Sequence, residues 1–352
     1  MGIRGSTAAA RPSGRNGAHH EHDRPDCRPV RRPVRDRAAF GRGPYEPVRR
    51  VVRRVVRRVA RGPAVRHPAG PAGGCGRQRR HRPSRRARDG LHARPEASAR
   101  GVVLLVPGFT GSKEDFGGFL PLLAERGWDA WSYSQRGQAD SAAPAGAENY
   151  TLEAFARDVV AVAALVGGGE PVHLLGHSFG GVVTRAAAIL APGAFLDVTL
   201  LCSGPHGWAG RMEREAAIVR ERGSAAWWNE DNPHTVGLPD AALTADEAFR
   251  RLRMGATSDD QLLGAAAILS DENDTTGELL ATGLDTLVAH GVDDPAWPQD
   301  WQASMAGLLD ARYAIIPEAA HSPQLENPEA TADLLDEFWG RDRAHPPVEP
   351  QQ

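Results

Sequence analysis

Cysteines and long apolar runs are scarce in this sequence, and both absences narrow the class of protein. Its 352 residues include three cysteines, Cys27, Cys75 and Cys202, and none stands in a C-x-x-C pair or a Cys/His cluster with zinc spacing. No run approaches the roughly 20 apolar residues that a membrane helix needs. The chain also does not open with the apolar segment of a secretory signal. The sequence therefore predicts a reduced, cytoplasmic protein with no metal site and no membrane span.

Lysine is absent from residues 1–100, and this part of the chain differs in charge from the rest. It holds 27 Arg against seven Asp or Glu, a formal charge of +20, whereas the remainder holds 15 basic and 37 acidic residues, or −22. A segment so rich in Arg, Pro and Gly cannot bury enough apolar surface to offset its chain entropy. Residues 1–96 are therefore predicted to form a disordered extension. A Val/Arg repeat at 48–60 has helical spacing that would also suit a membrane surface or nucleic acid, but the composition favours solvated chain.

From about residue 97, short apolar runs alternate with amphipathic helical patterns. The strand-like runs are 101–106, 129–134, 172–175, 197–202, 286–289 and 312–316. The helical patterns between and after them are 114–126, 151–166, 181–190 and 327–339. Strands that alternate with helices predict a doubly wound, mostly parallel sheet, with its site at the carboxyl ends of the strands. The predicted fold class is therefore α/β.

One stretch breaks this alternation, because only helical segments occur between Gly204 and Gly283. An insertion of this length between two strands is typical of a helical cap over the site. The predicted division of the chain is a disordered extension, a first part of the core, a helical cap, a second part of the core and a disordered tail, at 1–96, 97–205, 206–283, 284–343 and 344–352.

The segment Gly176-His-Ser-Phe-Gly180 has the spacing G-x-S-x-G between a predicted strand and a predicted helix. In this arrangement a strained turn exposes the serine hydroxyl above the sheet, and the glycines let backbone and helix approach closely. The N–H of the next residue then lies at a helix N-terminus, where negative charge is favoured. Ser178 is therefore a candidate nucleophile. The alternative is a tight turn whose serine only caps the helix.

A serine nucleophile needs a base, and the base needs an orienting carboxylate. Two aspartates, Asp293 and Asp294, follow the predicted strand 286–289, and His321 follows the strand 312–316. Both loops lie at carboxyl ends of strands, and they provide the chain order serine, acid, histidine. Position alone leaves the choice between the two aspartates open.

Four loops of the chain resemble those of the α/β-hydrolase superfamily, from about residue 97 to 343. The segments beginning at Pro107, Ser134, His290 and Ala320 are similar to the family patterns H-G-x-x-G-S, D-x-R-G-x-G-x-S, H-G-x-x-D-x-x-x-P and G-H-x-P-x-x-E-x-P. The third pattern selects Asp294 over Asp293. The chain departs from three of these patterns. Pro107 replaces His in the first, Gln138-Ala-Asp140 occupies the positions x-G-x in the second, and Ala320 replaces Gly in the fourth.

The resemblance implies an α/β-hydrolase fold and acyl transfer without a metal or organic cofactor. Ser178 would be the nucleophile, Asp294 the orienting acid and His321 the general base. The backbone N–H groups of Phe109 and Phe179 would form the oxyanion hole. A serine rather than an aspartate nucleophile argues against haloalkane dehalogenase or epoxide hydrolase chemistry. The change at position 107 bears on how the loop that carries Phe109 is held.

The expected activity is hydrolysis of a small, largely apolar carboxylic ester or related acyl substrate. Alternatives on the same fold are an acyltransferase, a cofactor-free haloperoxidase and a C–C bond hydrolase. A non-catalytic ligand-binding protein is an alternative of another class. His177, His206 and Trp208 are candidates for lining the substrate pocket. The expected partner is this small molecule, with no nucleic acid bound by the folded domain, and the oligomeric state is left open.

Overall fold

The computed structural model describes residues 90–341. In this part of the chain seven strands form one sheet, in the order β1-β3-β2-β4-β5-β6-β7. The strands are β1 (Leu91–Ala93), β2 (Gly101–Val106), β3 (Trp128–Ser132), β4 (Val172–His177), β5 (Phe195–Leu201), β6 (Asp285–Gly291) and β7 (Arg312–Ile316). Strand β1 is antiparallel to β3, and all other neighbours are parallel. The predicted doubly wound, mostly parallel α/β sheet is confirmed.

Helices cover both faces of the sheet. Within the described residues the α-helices are α1 (Leu120–Glu125), α2 (Leu152–Val166), α3 (Phe179–Leu190), α4 (Glu213–Arg222), α5 (Ser224–Asp231), α6 (Ala245–Ala256), α7 (Asp259–Leu269), α8 (Thr276–Leu280), α9 (Gln299–Leu308), α10 (Pro323–Glu326) and α11 (Pro328–Trp339). Among residues 90–341, no helix combines the length and apolarity needed to cross a membrane.

The central strands are buried on both faces, as parallel strands covered by helices should be. In β2, Leu104 and Val106 belong to the apolar cluster on one face, whereas Val103 and Leu105 belong to the cluster on the other. This alternation follows from the two-residue period of a strand. Because the sheet is packed on both faces, the ends of its strands hold the loops at its carboxyl edge in place.

The chain between β5 and β6 forms helices α4 to α8, and its described residues contain no strand. Two hydrogen bonds join this helical segment to the turn after β3. The Ser258 N–H donates to the Gly137 carbonyl at 2.8 Å, and the Ala139 N–H donates to the Thr257 hydroxyl at 3.3 Å. The helical segment is therefore attached to a loop at the carboxyl edge of the sheet. The cap boundaries at 206 and 283 remain predictions.

Strand β1 corrects the predicted extent of the disordered extension. It lies inside the segment 1–96, yet it pairs with β3, and the His92 ring stacks on Trp131 with centroids 3.7 Å apart. A three-residue strand gains its order from its neighbour, which local composition does not reveal. Residues 1–89 of that segment, which include the repeat at 48–60, lie outside the described residues, as does the tail 344–352.

Candidate active site

Ser178 lies on a sharp turn between β4 and α3. Its backbone has φ +55° and ψ −121°, a region that costs a non-glycine residue energy and is found mainly at functional sites. The flanking glycines allow the tight approach. A Cβ on Gly176 would lie 2.3 Å from the Gly180 carbonyl oxygen, and a Cβ on Gly180 would lie 2.3 Å from that of Val106. The G-x-S-x-G spacing is thus a steric requirement of this turn.

The structure brings together the three residues predicted to act as a triad. The Ser178 hydroxyl oxygen lies 2.9 Å from Nε2 of His321, and Nδ1 of His321 lies 2.8 Å from a carboxylate oxygen of Asp294. A carboxylate only accepts hydrogen bonds, so Nδ1 carries the proton and Nε2 presents a lone pair to the serine. Asp293 is exposed, whereas Asp294 is 4% exposed. This geometry separates the two aspartates that position in the sequence could not separate.

Asp294 is held in its ionised form by the groups around it. Burial by itself would raise the pKa of its carboxyl, but the hydrogen bond from His321 and that from the Ala296 N–H at 3.0 Å outweigh burial, and the pKa is lowered. A side-chain N–H of Gln302 on α9 donates to the second carboxylate oxygen at 3.3 Å. Sequence reasoning missed Gln302, because nothing in a helical pattern shows which polar side chain faces a loop from another part of the chain.

The loop that carries His321 is held from two sides. The Glu326 carboxylate accepts hydrogen bonds from the N–H groups of Ala320, at 2.6 Å, and Ser322, at 3.2 Å. On the other side, Nε2 of His177 lies 2.6 Å from the His321 carbonyl oxygen, which can only accept, so His177 donates. His177 therefore positions the loop of the predicted base. Its predicted contact with substrate remains a prediction.

His177 gives a testable pH dependence of stability. Burial, followed by the nearby His321 ring, lowers its pKa to about 4, from about 6.5 for a free imidazole. Between these values the unfolded chain binds a proton that the folded chain does not, so the free energy of unfolding should fall as the pH drops from about 6.5 to 4. With about 1.4 kcal/mol per tenfold change in proton affinity, the loss approaches about 3 kcal/mol.

Urea unfolding at several pH values, for the native protein and for His177→Gln, tests this expectation. The glutamine can still donate to the His321 carbonyl but does not titrate. The variant should lose less stability than the native protein over this pH window. Equal slopes for the two proteins would contradict the assignment to His177.

The two backbone N–H groups predicted to form the oxyanion hole have no hydrogen-bond partner in the described residues. They belong to Phe109, in the loop after β2, and Phe179, the first residue of α3. The two segments are in contact, because a Cβ built on Gly108 would lie 3.4 Å from the Cβ of Ser178. The N-terminus of α3 adds a favourable dipole for negative charge. The arrangement can therefore stabilise charge that develops next to the Ser178 hydroxyl.

The other predicted pocket residues lie in the chain that leaves β5. The His206 ring is 4.6 Å from that of Trp301, and Trp208 meets the same indole edge to face at 6.0 Å. The guanidinium of Arg211 stacks over Trp208 at 4.2 Å. These contacts hold both residues in an aromatic cluster. A role for them in contacting substrate remains a prediction.

One group of side chains in the described region has donor atoms close enough for a metal ion, and it overlaps the site. Donor atoms of His177, Cys202 and His321 lie within 4.8 Å of one another. Both ring nitrogens of His321 and Nε2 of His177 are engaged in the hydrogen bonds described above. Burial raises the pKa of the Cys202 thiol well above its ordinary value, which disfavours the thiolate that binds metals. These hydrogen bonds and the protonated thiol therefore disfavour a metal ion at this group.

The family model for the α/β hydrolase fold matches residues 101–328, more than half of the chain. The chain therefore belongs to the α/β-hydrolase fold family, as its loops indicated. Among solved structures, a thermophilic esterase from Thermogutta terrifontis has a TM-score of 0.58 at 23% identity, covering 71% of this chain and 98% of that one. At this level of identity the likeness concerns the fold.

Two curated relatives have similar sequences. The chain is 42% identical over 81 residues, 23% of its length, to the probable oxidoreductase EphD of Mycobacterium tuberculosis. That match covers 14% of EphD, so the chain spans about one seventh of the length of this relative. A non-heme haloperoxidase of Rhodococcus erythropolis is 28% identical over 251 residues, which are 66% of this chain and 90% of that protein.

Proposed function

We propose that this protein is a serine hydrolase that cleaves a small, largely apolar carboxylic ester or related acyl substrate through an acyl-enzyme. One observation carries the proposal. A continuous chain of hydrogen bonds runs from the Ser178 hydroxyl through both nitrogens of His321 to the buried carboxylate of Asp294. This is the arrangement that turns a weakly acidic hydroxyl into a nucleophile at neutral pH.

In the first half of the proposed reaction, the Ser178 oxygen attacks the carbonyl carbon of the ester while its proton moves to Nε2 of His321. The carboxylate of Asp294 stabilises the imidazolium and keeps its Nδ1–H oriented. The negative charge on the former carbonyl oxygen is accepted by the N–H groups of Phe109 and Phe179. The imidazolium then gives its proton to the departing alcohol, and the acyl group remains on the serine.

In the second half, water takes the place of the alcohol. His321 removes a proton from the water as the water attacks the acyl carbon, and the same N–H groups bind the oxyanion again. Collapse of this intermediate releases the carboxylic acid and returns the proton to Ser178. The proposal requires no metal and no organic cofactor.

The apolar character of the substrate is supported by the residues that meet the Phe109 ring. A small apolar cluster from α4, α5 and α7 packs against this ring, and its buried members are Ile218, Val219, Trp227 and Leu262. The Trp227 and Phe109 rings lie 5.7 Å apart. Because Phe109 belongs to the proposed oxyanion loop, this cluster would lie beside the reacting carbonyl, which favours an aliphatic or aromatic group on the substrate.

Transfer of the acyl group to an acceptor other than water is the second candidate. The relation to a haloperoxidase over 90% of that protein's length supports it, because an acyl-enzyme can be attacked by hydrogen peroxide or an alcohol as well as by water. The two candidates share every step up to the acyl-enzyme. They differ only in which nucleophile resolves it.

A panel of p-nitrophenyl esters of rising chain length tests the proposal and separates the candidates. We expect saturable hydrolysis of short to medium acyl chains, with the same acid released whether or not an alcohol or hydrogen peroxide is present. Formation of a new ester or a peracid at the expense of the acid would favour acyl transfer. A protein that binds these esters but turns none of them over would be a ligand-binding member of the fold.

A further inference from the structure

We propose that Gln138 is a positioning residue that orients the oxyanion-binding N–H of Phe109. The inference rests on the proposed function, since it concerns the same site. Gln138 lies in the turn after β3, about 30 residues from the loop that it contacts, and it is fully buried. It touches none of the reacting atoms, so its effect would be exerted through the backbone of the loop.

The contact is made by the side-chain amide of Gln138. Its Nε2 donates to the carbonyl oxygen of Gly108 at 2.7 Å and, more weakly, to that of Phe109 at 3.2 Å. Its Oε1 accepts the backbone N–H of Gln135 at 3.0 Å. Since a backbone N–H can only donate, the oxygen and nitrogen of the amide are assigned without ambiguity. The side chain of Gln135 adds a parallel bond, from its Nε2 to the Pro107 carbonyl at 2.9 Å.

The geometry of the peptide bond connects this contact to the oxyanion hole. The carbonyl of Gly108 and the N–H of Phe109 belong to one planar peptide group, and in a trans peptide they point in opposite directions. No cis peptide occurs in the described residues. A donor that holds the Gly108 carbonyl on one side of the loop therefore fixes the direction of the Phe109 N–H on the other side. Rotation of this peptide would turn the N–H away from the developing oxyanion.

The sequence of the loop after β2 explains why hydrogen bonds from another segment are needed to fix its conformation. Position 107 is a proline where the family pattern has histidine, so it offers neither a polar side chain nor an N–H. Gly108 has no side chain either. Within the loop, the Gly111 N–H also donates to the Gly108 carbonyl, but at 3.3 Å this bond is longer than that from Gln138. The loop therefore has few groups of its own that resist rotation about Gly108. The two glutamines provide that resistance from the neighbouring turn, through the carbonyl oxygens of Pro107 and Gly108.

The turn that carries Gln138 is itself fixed. Gly137 has φ +77° and Ala139 has φ +44°, so the backbone on both sides of Gln138 adopts conformations that leave little freedom. Thr257 and Ser258, between α6 and α7, bond to this turn as described above. The amide of Gln138 is thus presented to the loop by a rigid support, as a positioning group requires.

Replacing Gln138 by methionine keeps the size of the side chain and removes the donor. If one oxyanion N–H is misdirected, kcat should fall by about 10- to 100-fold, because complete loss of an oxyanion donor costs about 10²- to 10³-fold. KM should stay within about twofold, since the contact acts on the transition state. The rate of labelling by a fluorophosphonate should fall with kcat, because phosphonylation also develops charge on an oxygen.

Thr199→Val is the matched control. Thr199 in β5 is also buried, and its hydroxyl has no hydrogen-bond partner in the described residues. This variant removes a buried polar group at constant size without removing a contact to the oxyanion loop, and kcat should remain near that of the native enzyme. A similar loss of kcat in both variants would overturn the proposal, as would a Gln138→Met enzyme with native kcat.

Gln138→Glu provides a readout that a purely structural role would not change. A carboxylate cannot donate to the Gly108 carbonyl, whereas a protonated carboxyl can, and burial raises the pKa of such a group. The ratio of variant to native kcat should therefore rise as the pH falls, and any effect of pH that the two enzymes share cancels in this ratio. The charged side chains on the same turn are already paired, Arg136 with Asp158 and Asp140 with Lys113. A ratio independent of pH would contradict the proposal.

The outcomes for Gln138 and for the proposed function are distinguishable. A native protein that neither hydrolyses esters nor reacts with a fluorophosphonate would contradict the serine hydrolase proposal, and the inference about Gln138 would fall with it. A native enzyme that is active, combined with a Gln138→Met variant that is equally active, would contradict only the inference about Gln138.

Discussion

Ser178→Ala should abolish both fluorophosphonate labelling and ester hydrolysis. Removing the nucleophile of a serine hydrolase lowers kcat by about 10⁴- to 10⁶-fold, and only the catalysis provided by the oxyanion hole and by binding remains. The fold should be retained, because alanine replaces a small side chain that is 8% exposed, and both residues carry a Cβ at this strained backbone position. The measurements are gel fluorescence of the labelled protein and the initial rate with the best p-nitrophenyl ester.

Ser203→Ala is a suitable control for this experiment. Ser203 is another buried serine. It packs against Gly181 of α3, and a Cβ built on Gly181 would lie 2.4 Å from the Cβ of Ser203. Its hydroxyl makes no contact with His321 among the described residues. This variant should be labelled and active. Labelling of Ser178→Ala at the native rate would show that the reactive group lies elsewhere and would contradict the proposed mechanism.

Asp294→Asn should lower kcat by about 10⁴-fold, while Asp293→Asn should leave it within about twofold. A neutral amide at position 294 cannot stabilise the imidazolium that forms on His321, and where its NH2 group faces Nδ1 it favours the tautomer in which Nε2 carries the proton. That tautomer has no lone pair to accept the Ser178 proton. The carboxylate of Asp293, by contrast, is exposed and has no contact with His321 in the described residues.

The two aspartate variants can also contradict the assignment of Asp294 as the acid. If Asp293→Asn lost more activity than Asp294→Asn, the acid would have been assigned to the wrong residue of the pair. Thermal unfolding of both variants separates an effect on catalysis from an effect on folding, because Asp294 also accepts hydrogen bonds from Ala296 and Gln302. Binding of an uncleaved substrate analogue at native affinity would show that the pocket is intact.

The elements that sequence patterns predict best here are those with strong periodicity or a defined end. The strand 312–316 is found with its predicted limits, and α2 begins after Thr151, whose side chain accepts the Ala154 N–H as an N-cap should. The helix pattern 114–126 was only partly right. It is divided into a short 3₁₀ turn at Lys113–Phe116 and α1, with Gly117 and Gly118 between them, where two glycines weaken a helix.

Two helices were not located individually, and their sequences explain the omission. Helix α7, within the segment predicted to be helical, is apolar or small on nearly all sides over Leu262–Leu269, so it has no polar face to mark the helical period. Helix α9 mixes Trp301, Gln302 and Met305 with small residues and has no clear apolar stripe. Strand β1 is too short to give a pattern. These elements are stabilised by the surfaces against which they pack rather than by local preference.

The sequence by itself determined the α/β class, the order of the four loops and the candidates Ser178 and His321, because each depends on spacing within a short segment and on a loop that follows a strand. It reduced the acid to Asp293 or Asp294, and the family resemblance favoured Asp294. Only the tertiary structure decided what surrounds these residues. Gln302 supports the acid, His177 holds the loop of the base, and Gln138 holds the oxyanion loop. Each of these contacts joins segments that are distant in the chain, or depends on where a side chain points once the strands are assembled. Such contacts follow from the order of strands in the sheet and the packing of helices on it, and no local pattern in the chain encodes them.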